Sequence, residues 1–295
     1  MSLVKTIING LHRKNRQPSQ HAFAVVTGAG SGIGRSFALE LARRGGTVLC
    51  ADINLSSAEE TVQLISQQTG RTAYAAACDV GQAKQVEALA QQAIKLFQQP
   101  ASLIINNAGV GLSGKFDHLS LADWHWCMQV NLWGVIHGCH YFVPQFKQQG
   151  FGAIINVASA AGFASAPEMT VYNVTKSSVL TLSETLAAEL AGDNIQVNVL
   201  CPTLVPTNIM KNGRVPQHYA GLADHLLMNY AFVSSDEVAV KTLNQIDAGK
   251  LYTIPQPDAK LFWLMKRASP ALYTKLLGLG YPILNKYLRK KGAKS

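Results

Sequence analysis

No uninterrupted apolar stretch in this 295-residue chain reaches the roughly 18 residues a spanning helix needs, which disfavours a transmembrane protein. The N-terminus (MSLVKTIINGLHRKNRQ) has too short an apolar run, wrongly flanked, for a secretory signal. Charged residues make up only 15% against 48% hydrophobic, which excludes wholesale disorder. Cysteine is scarce: five, an odd number, with no CxxC pair. We read them as reduced structural thiols of a cytoplasmic protein, because disulfide frameworks need paired cysteines in an oxidising compartment. The eight histidines show no HExxH or HxH spacing, so no metal is expected. No zinc finger, basic zipper or recognition-helix pattern occurs, so no nucleic acid is expected as a partner.

Positive charge is present but unevenly placed. Residues 1–21 carry Lys5, Arg13, Lys14 and Arg16 with no acid. Residues 250–295 carry ten Lys or Arg against Asp258 alone, while 22–249 have 12 basic and 16 acidic residues. The basic C-terminal stretch is also greasy, with Phe262, Trp263, Leu264, Met265, Leu276, Leu277, Leu279 and Ile283. Two readings stand side by side. Such a segment can lie on an anionic membrane surface, placing the protein at the membrane periphery. It can equally cover a sheet face or subunit interface.

Between these ends, short apolar runs alternate with helical periodicity. Strands are expected at 22–27, 47–51, 72–78, 103–106, 153–158, 195–200 and 251–254. Helices are expected at 33–44, 56–68, 82–98, 122–148 (kinked at Pro144), 172–190 and 235–248. This alternation is the signature of an α/β fold with a doubly wound parallel sheet. It divides the chain into a basic arm (1–21), one domain (22–255) and a helical extension (256–295). The irregular stretch 202–233, rich in Pro, Asn and Gly, is long enough to be a lid.

Thr27 leads into Gly28, Ala29, Gly30, Ser31, Gly32, Ile33 and Gly34, between the first strand and the first helix. Glycines let backbone approach a phosphate, and the helix N-terminus favours the negative charge. Asp52 ends the second strand, where a carboxylate accepts from both ribose hydroxyls of an adenosine and repels a 2′-phosphate. NAD is therefore favoured over NADP, with Arg35 as the counter-signal. Tyr172 and Lys176, four apart, share one helix face, and Ser159 ends the preceding strand. A free tyrosine has a pKa of about 10, and a nearby ammonium is expected to lower it. Tyr172 can then exchange a proton with an alcohol while hydride moves to or from a nicotinamide, with Ser159 bonding the substrate oxygen.

With Cys78-Asp79-Val80, Asn106-Asn107-Ala108-Gly109 and Asn131 added, residues 22–255 resemble the short-chain dehydrogenase/reductase family. The resemblance implies a single Rossmann-type domain with a seven-stranded sheet. It implies Asn131 as a fourth catalytic residue, holding a water that relays protons to Lys176. It implies that Asp79 and Val80 contact the adenine and that Asn107, Ala108 and Gly109 line the ribose side and steady the central strand. Tyr172, Lys176, Pro202, Val205 and Thr207 complete the cofactor set, Thr207 bonding the carboxamide. The family usually has Pro-Gly after the sixth strand; here it is Pro202-Thr203.

The expected substrate wall (160–164, 204–232 and 110–113) is small or apolar, so an apolar alcohol or ketone is expected as substrate. Helices 122–148 and 172–190 resemble those that pair in the family's homodimers and homotetramers. Three alternatives remain at this stage: a non-catalytic dinucleotide sensor, a membrane-peripheral scaffold, and a fatty aldehyde or acyl reductase.

Overall fold

Strands that are apolar at nearly every position cannot leave either face in water. The computed structural model, which describes residues 17–207, 209, 213–215 and 233–292, has what covers them. β1 (Phe23–Thr27), β2 (Thr47–Asp52), β3 (Ala73–Ala77), β4 (Leu103–Asn106), β5 (Gly152–Val157), β6 (Ile195–Leu200) and β7 (Tyr252–Thr253) form one parallel sheet in the order β3-β2-β1-β4-β5-β6-β7. Strand order reverses between β1 and β4, which opens a crevice at their carboxyl ends.

Neighbouring residues on a strand feed opposite layers. Ile104 and Ile154 pack with α3 (Ala83–Phe97), α5 (Gly134–Gln149) and α7 (Thr170–Glu189), through Leu89, Phe142 and Val179 among others. Ile105 and Ile155 pack with α1 (Gly32–Arg43), α2 (Leu55–Thr69) and α8 (Ser235–Asp247), through Phe37, Ile65 and Leu243. Each such side chain contributes about 1.5–3 kcal/mol by leaving water. A slip of one residue would exchange the two layers, so this pattern sets the register.

The expected helix 122–148 is broken elsewhere than at its proline. It runs as α4 (Leu121–Met128), a π turn (Gln129–Trp133) and α5. Pro144 lies inside α5 without interrupting it. The carbonyl its ring would crowd belongs to His140, and both residues face solvent, where water can take up the lost bond. The π turn instead surrounds Asn131, which is fully buried.

The extension is built onto the domain. Gln256 caps α9 (Pro257–Ala268) and is itself buried, and Ala259 joins the core. α9 packs on the short α6 (Ala161–Ala164), and α10 (Pro270–Gly292) follows. Among the described residues, no helix is long and apolar enough to cross a membrane. Residues 1–16 of the basic arm and 208, 210–212 and 216–232 of the expected lid lie outside the described residues.

Candidate active site

The glycine turn leaves β1 with Gly28 at φ +64° and closes tightly on the start of α1. A methyl group on Gly34 would stand 2.1 Å from the Gly28 carbonyl oxygen, so backbone meets backbone there. Ser31 caps α1 without a side-chain bond to its first turn, where Gly32, Ile33 and Gly34 follow. The N–H groups of that turn carry the positive end of the helix dipole. Thr207, after β6, sits against Gly32, within 3.0 Å of where a Cβ would be.

Around this turn, side chains hold the backbone. Asp52 Oδ2 accepts from Gly30 N–H at 2.8 Å. Asn107 donates its amide to the carbonyls of Thr27 (2.9 Å) and Gly28 (3.2 Å). Thr27 Oγ1 accepts from the N–H groups of Asn107 (3.0 Å) and Ala108 (3.1 Å), fastening the end of β4 to the end of β1. Arg35 is committed elsewhere: it pairs with Glu60 at 2.7 Å and bonds Thr61 and the Gly30 carbonyl. At the end of β3, Asp79 accepts from Gly81 N–H at 2.9 Å, and the Val80 carbonyl meets His137 Nδ1 at 2.9 Å. Val205 is buried in the core and the Pro202 carbonyl accepts from Ala160 N–H at 2.8 Å.

The four residues expected to act in catalysis converge beside this turn. Ser159 hydrogen-bonds Tyr172, one turn of α7 before Lys176. Lys176 Nζ donates to the Val157 carbonyl on β5 at 2.9 Å and lies 5.7 Å from the Tyr172 ring centroid. Asn131 closes the group: its Oδ1 accepts from Val110 N–H at 2.8 Å and its Nδ2 donates to the Val110 carbonyl at 2.9 Å. A Cβ on Gly109 would lie 3.2 Å from Asn131 Oδ1 and 3.6 Å from Lys176 Nζ, so the turn after β4 touches both.

A family model for short chain dehydrogenases matches residues 22–217. This chain belongs to the short-chain dehydrogenase/reductase family. An uncharacterized oxidoreductase of Thermotoga maritima is 32% identical over 78% of this chain and 97% of its own. A cyclohexanol dehydrogenase of an Acinetobacter strain is 32% identical over 78% of this chain and 94% of its own. The crystal structure of a short-chain dehydrogenase/reductase from Burkholderia phymatum in complex with NAD superposes with a TM-score of 0.78, at 33% identity, over 84% of this chain and 94% of that one. The chain is therefore an oxidoreductase of the dehydrogenase/reductase type, on a Rossmann-type fold.

Within this short-chain dehydrogenase, one sequence expectation is corrected. Lys176 was expected to lower the Tyr172 pKa. Instead, burial pushes the phenol up to about 12, although the Ser159 hydrogen bond acts the other way. Burial also brings the Lys176 ammonium down to about 8. In the chain alone, loss of water is the largest effect on both groups.

Two further features escaped sequence reasoning. Thr203, where the family has glycine, donates its hydroxyl to Asp258 Oδ1 (3.2 Å) and its N–H to Gln256 Oε1 (3.2 Å). The departure thus ties the end of β6 to the start of the extension. The expected substrate walls are also linked to one another. Ser113 N–H donates to the Arg214 carbonyl at 3.3 Å, and Arg214 N–H to the Gly111 carbonyl at 3.0 Å. Arg214 also pairs with Asp123 at 2.7 Å and stacks over Trp126. The Pro-Thr pair and the basic tail were each visible in the sequence; nothing there coupled them.

Proposed function

We propose that this enzyme transfers hydride between NAD and an apolar alcohol or ketone, with Tyr172 as the group that exchanges the proton. The observation that carries the reading is the convergence of Ser159, Tyr172 and Lys176 on the turn after β4, beside the glycine turn. The cradle suits a dinucleotide: with only hydrogen on Gly34, backbone closes on Gly28 and leaves the first turn of α1 open to a pyrophosphate. Asp52 suits a free ribose 2′-hydroxyl, and the pairing of Arg35 with Glu60 removes the cation that would favour a 2′-phosphate. Asp79 and Val80 border the adenine, and Asn107, Ala108, Gly109, Pro202, Val205 and Thr207 the remainder.

When bound, the nicotinamide supplies the hydride acceptor or donor. Ser159 hydrogen-bonds the substrate oxygen. Tyr172 takes the alcohol proton in oxidation and returns it in reduction. Lys176, held by the Val157 carbonyl, stabilises the phenolate as it forms and offsets the burial that disfavours it. The Asn131 side chain fixes Val110, and its π turn sets the relay toward Lys176. The wall beside Ser159 carries Ala160 and Phe163, both buried, which suits an apolar substrate, as does the relative that acts on cyclohexanol.

The five cysteines are buried thiols, in keeping with a cytoplasmic enzyme. Exposed Trp133 and Val174, on the π turn and α7, suit a homodimer or homotetramer. A panel of aliphatic, cyclic and steroid alcohols with NAD and with NADP, followed by absorbance of the reduced cofactor, tests the reading. Turnover of an apolar alcohol with NAD, lost in Tyr172→Phe, is the expected result. Turnover of polar polyols alone, or hydride transfer unaffected by Tyr172→Phe, would overturn it.

A further inference from the structure

Helix α10 has two working faces. One carries Tyr273, Leu277 and Tyr281, spaced four apart and turned toward the domain, with Tyr273 buried. The Tyr273 hydroxyl donates to the Ala164 carbonyl at 2.8 Å, and the Tyr281 hydroxyl to the Glu168 carboxylate. From α9, Lys266 Nζ donates to Ser165 Oγ at 2.9 Å. These bonds grip the segment between Ser159 and Tyr172, where Ser165 (φ +53°) and Glu168 (φ +62°) hold left-handed conformations that side chains resist.

The other face carries Leu272, Leu276, Leu279 and Ile283, between 49% and 73% exposed. Their spacing of four, three and four makes one stripe along the helix. α9 adds exposed Leu261, Leu264 and Met265 at helical spacing. Among the described residues, none of these seven joins an apolar cluster. The cations Lys260, Arg267, Lys275 and Lys286 are exposed on the same two helices, and Asp258 is the only acid from residue 250 onward.

We propose that the outer face of α9 and α10 is a docking surface for an anionic lipid bilayer, on the two helices whose inner side grips the segment between Ser159 and Tyr172. The surface goes beyond the oxidoreductase reading. Its corollary, that an apolar substrate enters from the lipid side, rests on that reading. Charge decides the occupant. A second copy paired about a two-fold axis would set like charges against like, since each copy brings ten Lys or Arg and one acid in residues 250–295. An anionic headgroup layer instead attracts those cations while the leucines enter the acyl boundary.

The test uses the full chain with vesicles of phosphatidylcholine mixed with phosphatidylglycerol, against vesicles of phosphatidylcholine alone. Sedimentation with the anionic vesicles is expected, weaker by about tenfold or more on neutral ones and at high salt. The double variant Leu276→Glu/Leu279→Glu is expected to lose binding by a similar factor while its turnover of a short, water-soluble alcohol is unchanged. Equal binding to both vesicle types, or none, overturns the surface, as does a double variant that binds as wild type. So does a change of oligomeric state in the variant without lipid binding, which would assign the stripe to a second copy. If the variant fails to fold by circular dichroism, the wild-type comparison between lipids and salts decides alone. A chain that turns over alcohol yet ignores both vesicles sinks the docking surface and leaves the oxidoreductase reading standing; one that binds lipid without hydride transfer does the reverse.

Discussion

On the β1–β2 side of the crevice, the chain is held by contacts between backbone segments that lie close in sequence. Gly34 closes on Gly28, and Asp52 holds Gly30. On the β6 side, the corresponding surface is held from much farther along the chain: Asp258 by Thr203, Tyr273 by Ala164, Lys266 by Ser165. The first side is built mainly from a strand, a turn and a helix in succession, braced by Asp52 and Asn107. The second needs the extension to fold back across the finished sheet. A cradle of the first kind suits a cofactor of fixed shape, whereas a wall of the second kind can change with whatever the extension brings.

The largest test of that contrast is chemical. Tyr172→Phe should lower kcat by about a thousandfold, in the range for a lost proton-transfer group, while dinucleotide affinity measured by cofactor fluorescence stays as in wild type. A parallel loss of cofactor binding would mean that the two sides are not separable.

Alkaline pH probes both sides at once. Burial raises the thiols of Cys50, Cys139 and Cys201 to about 12 and those of Cys78 and Cys127 to about 11, from an ordinary 9. Below pH 9 these thiols stay protonated whether the chain is folded or unfolded, so their contribution to stability is intact. Above it the unfolded chain releases protons that the folded chain keeps, so stability falls as pH rises toward 11–12. Urea midpoints measured from pH 7 to 11 check this. Cys50→Ala and Cys201→Ala should each flatten the fall. If only Cys201→Ala does so, the substrate side opens first.

Gly34→Ala strikes the cofactor side alone. With nowhere for the methyl group to go, we expect a loss of about 1–3 kcal/mol in denaturant unfolding, together with loss of dinucleotide binding. Asp52→Ala should shift the NAD-to-NADP preference in kcat/KM toward NADP by about tenfold, or about 1.4 kcal/mol, with substrate KM unchanged. Thr203→Val is the mildest. It keeps the shape but removes the Asp258 bond, costing about 1 kcal/mol, and should speed amide exchange in α9 but not in α1. Equal acceleration in both helices would erase the distinction drawn between the two sides.

Most of the sheet was legible before any coordinates, because strands such as LIIN and IQVNVL are apolar runs set between long helical periods. The glycine turn, Asp52 and the Ser159, Tyr172 and Lys176 set were legible for a similar reason: each depends on short spacings within one strand–helix unit. Asn131 was legible only through the family resemblance, since a polar residue inside a helical pattern carries no signal of a π turn.

The order of elements, the parallel sheet and the spacing of the candidate catalytic side chains were thus determined by the sequence by itself, because periodicity and short spacing act over a few residues. Only the tertiary structure decided that Arg35 belongs to Glu60, that Thr203 answers to Asp258, and that α9 and α10 grip the segment between Ser159 and Tyr172. It also decided that burial moves Tyr172 and Lys176 away from their charged forms. Those outcomes depend on which distant surfaces meet and how much solvent they exclude, and neither quantity is carried by local spacing.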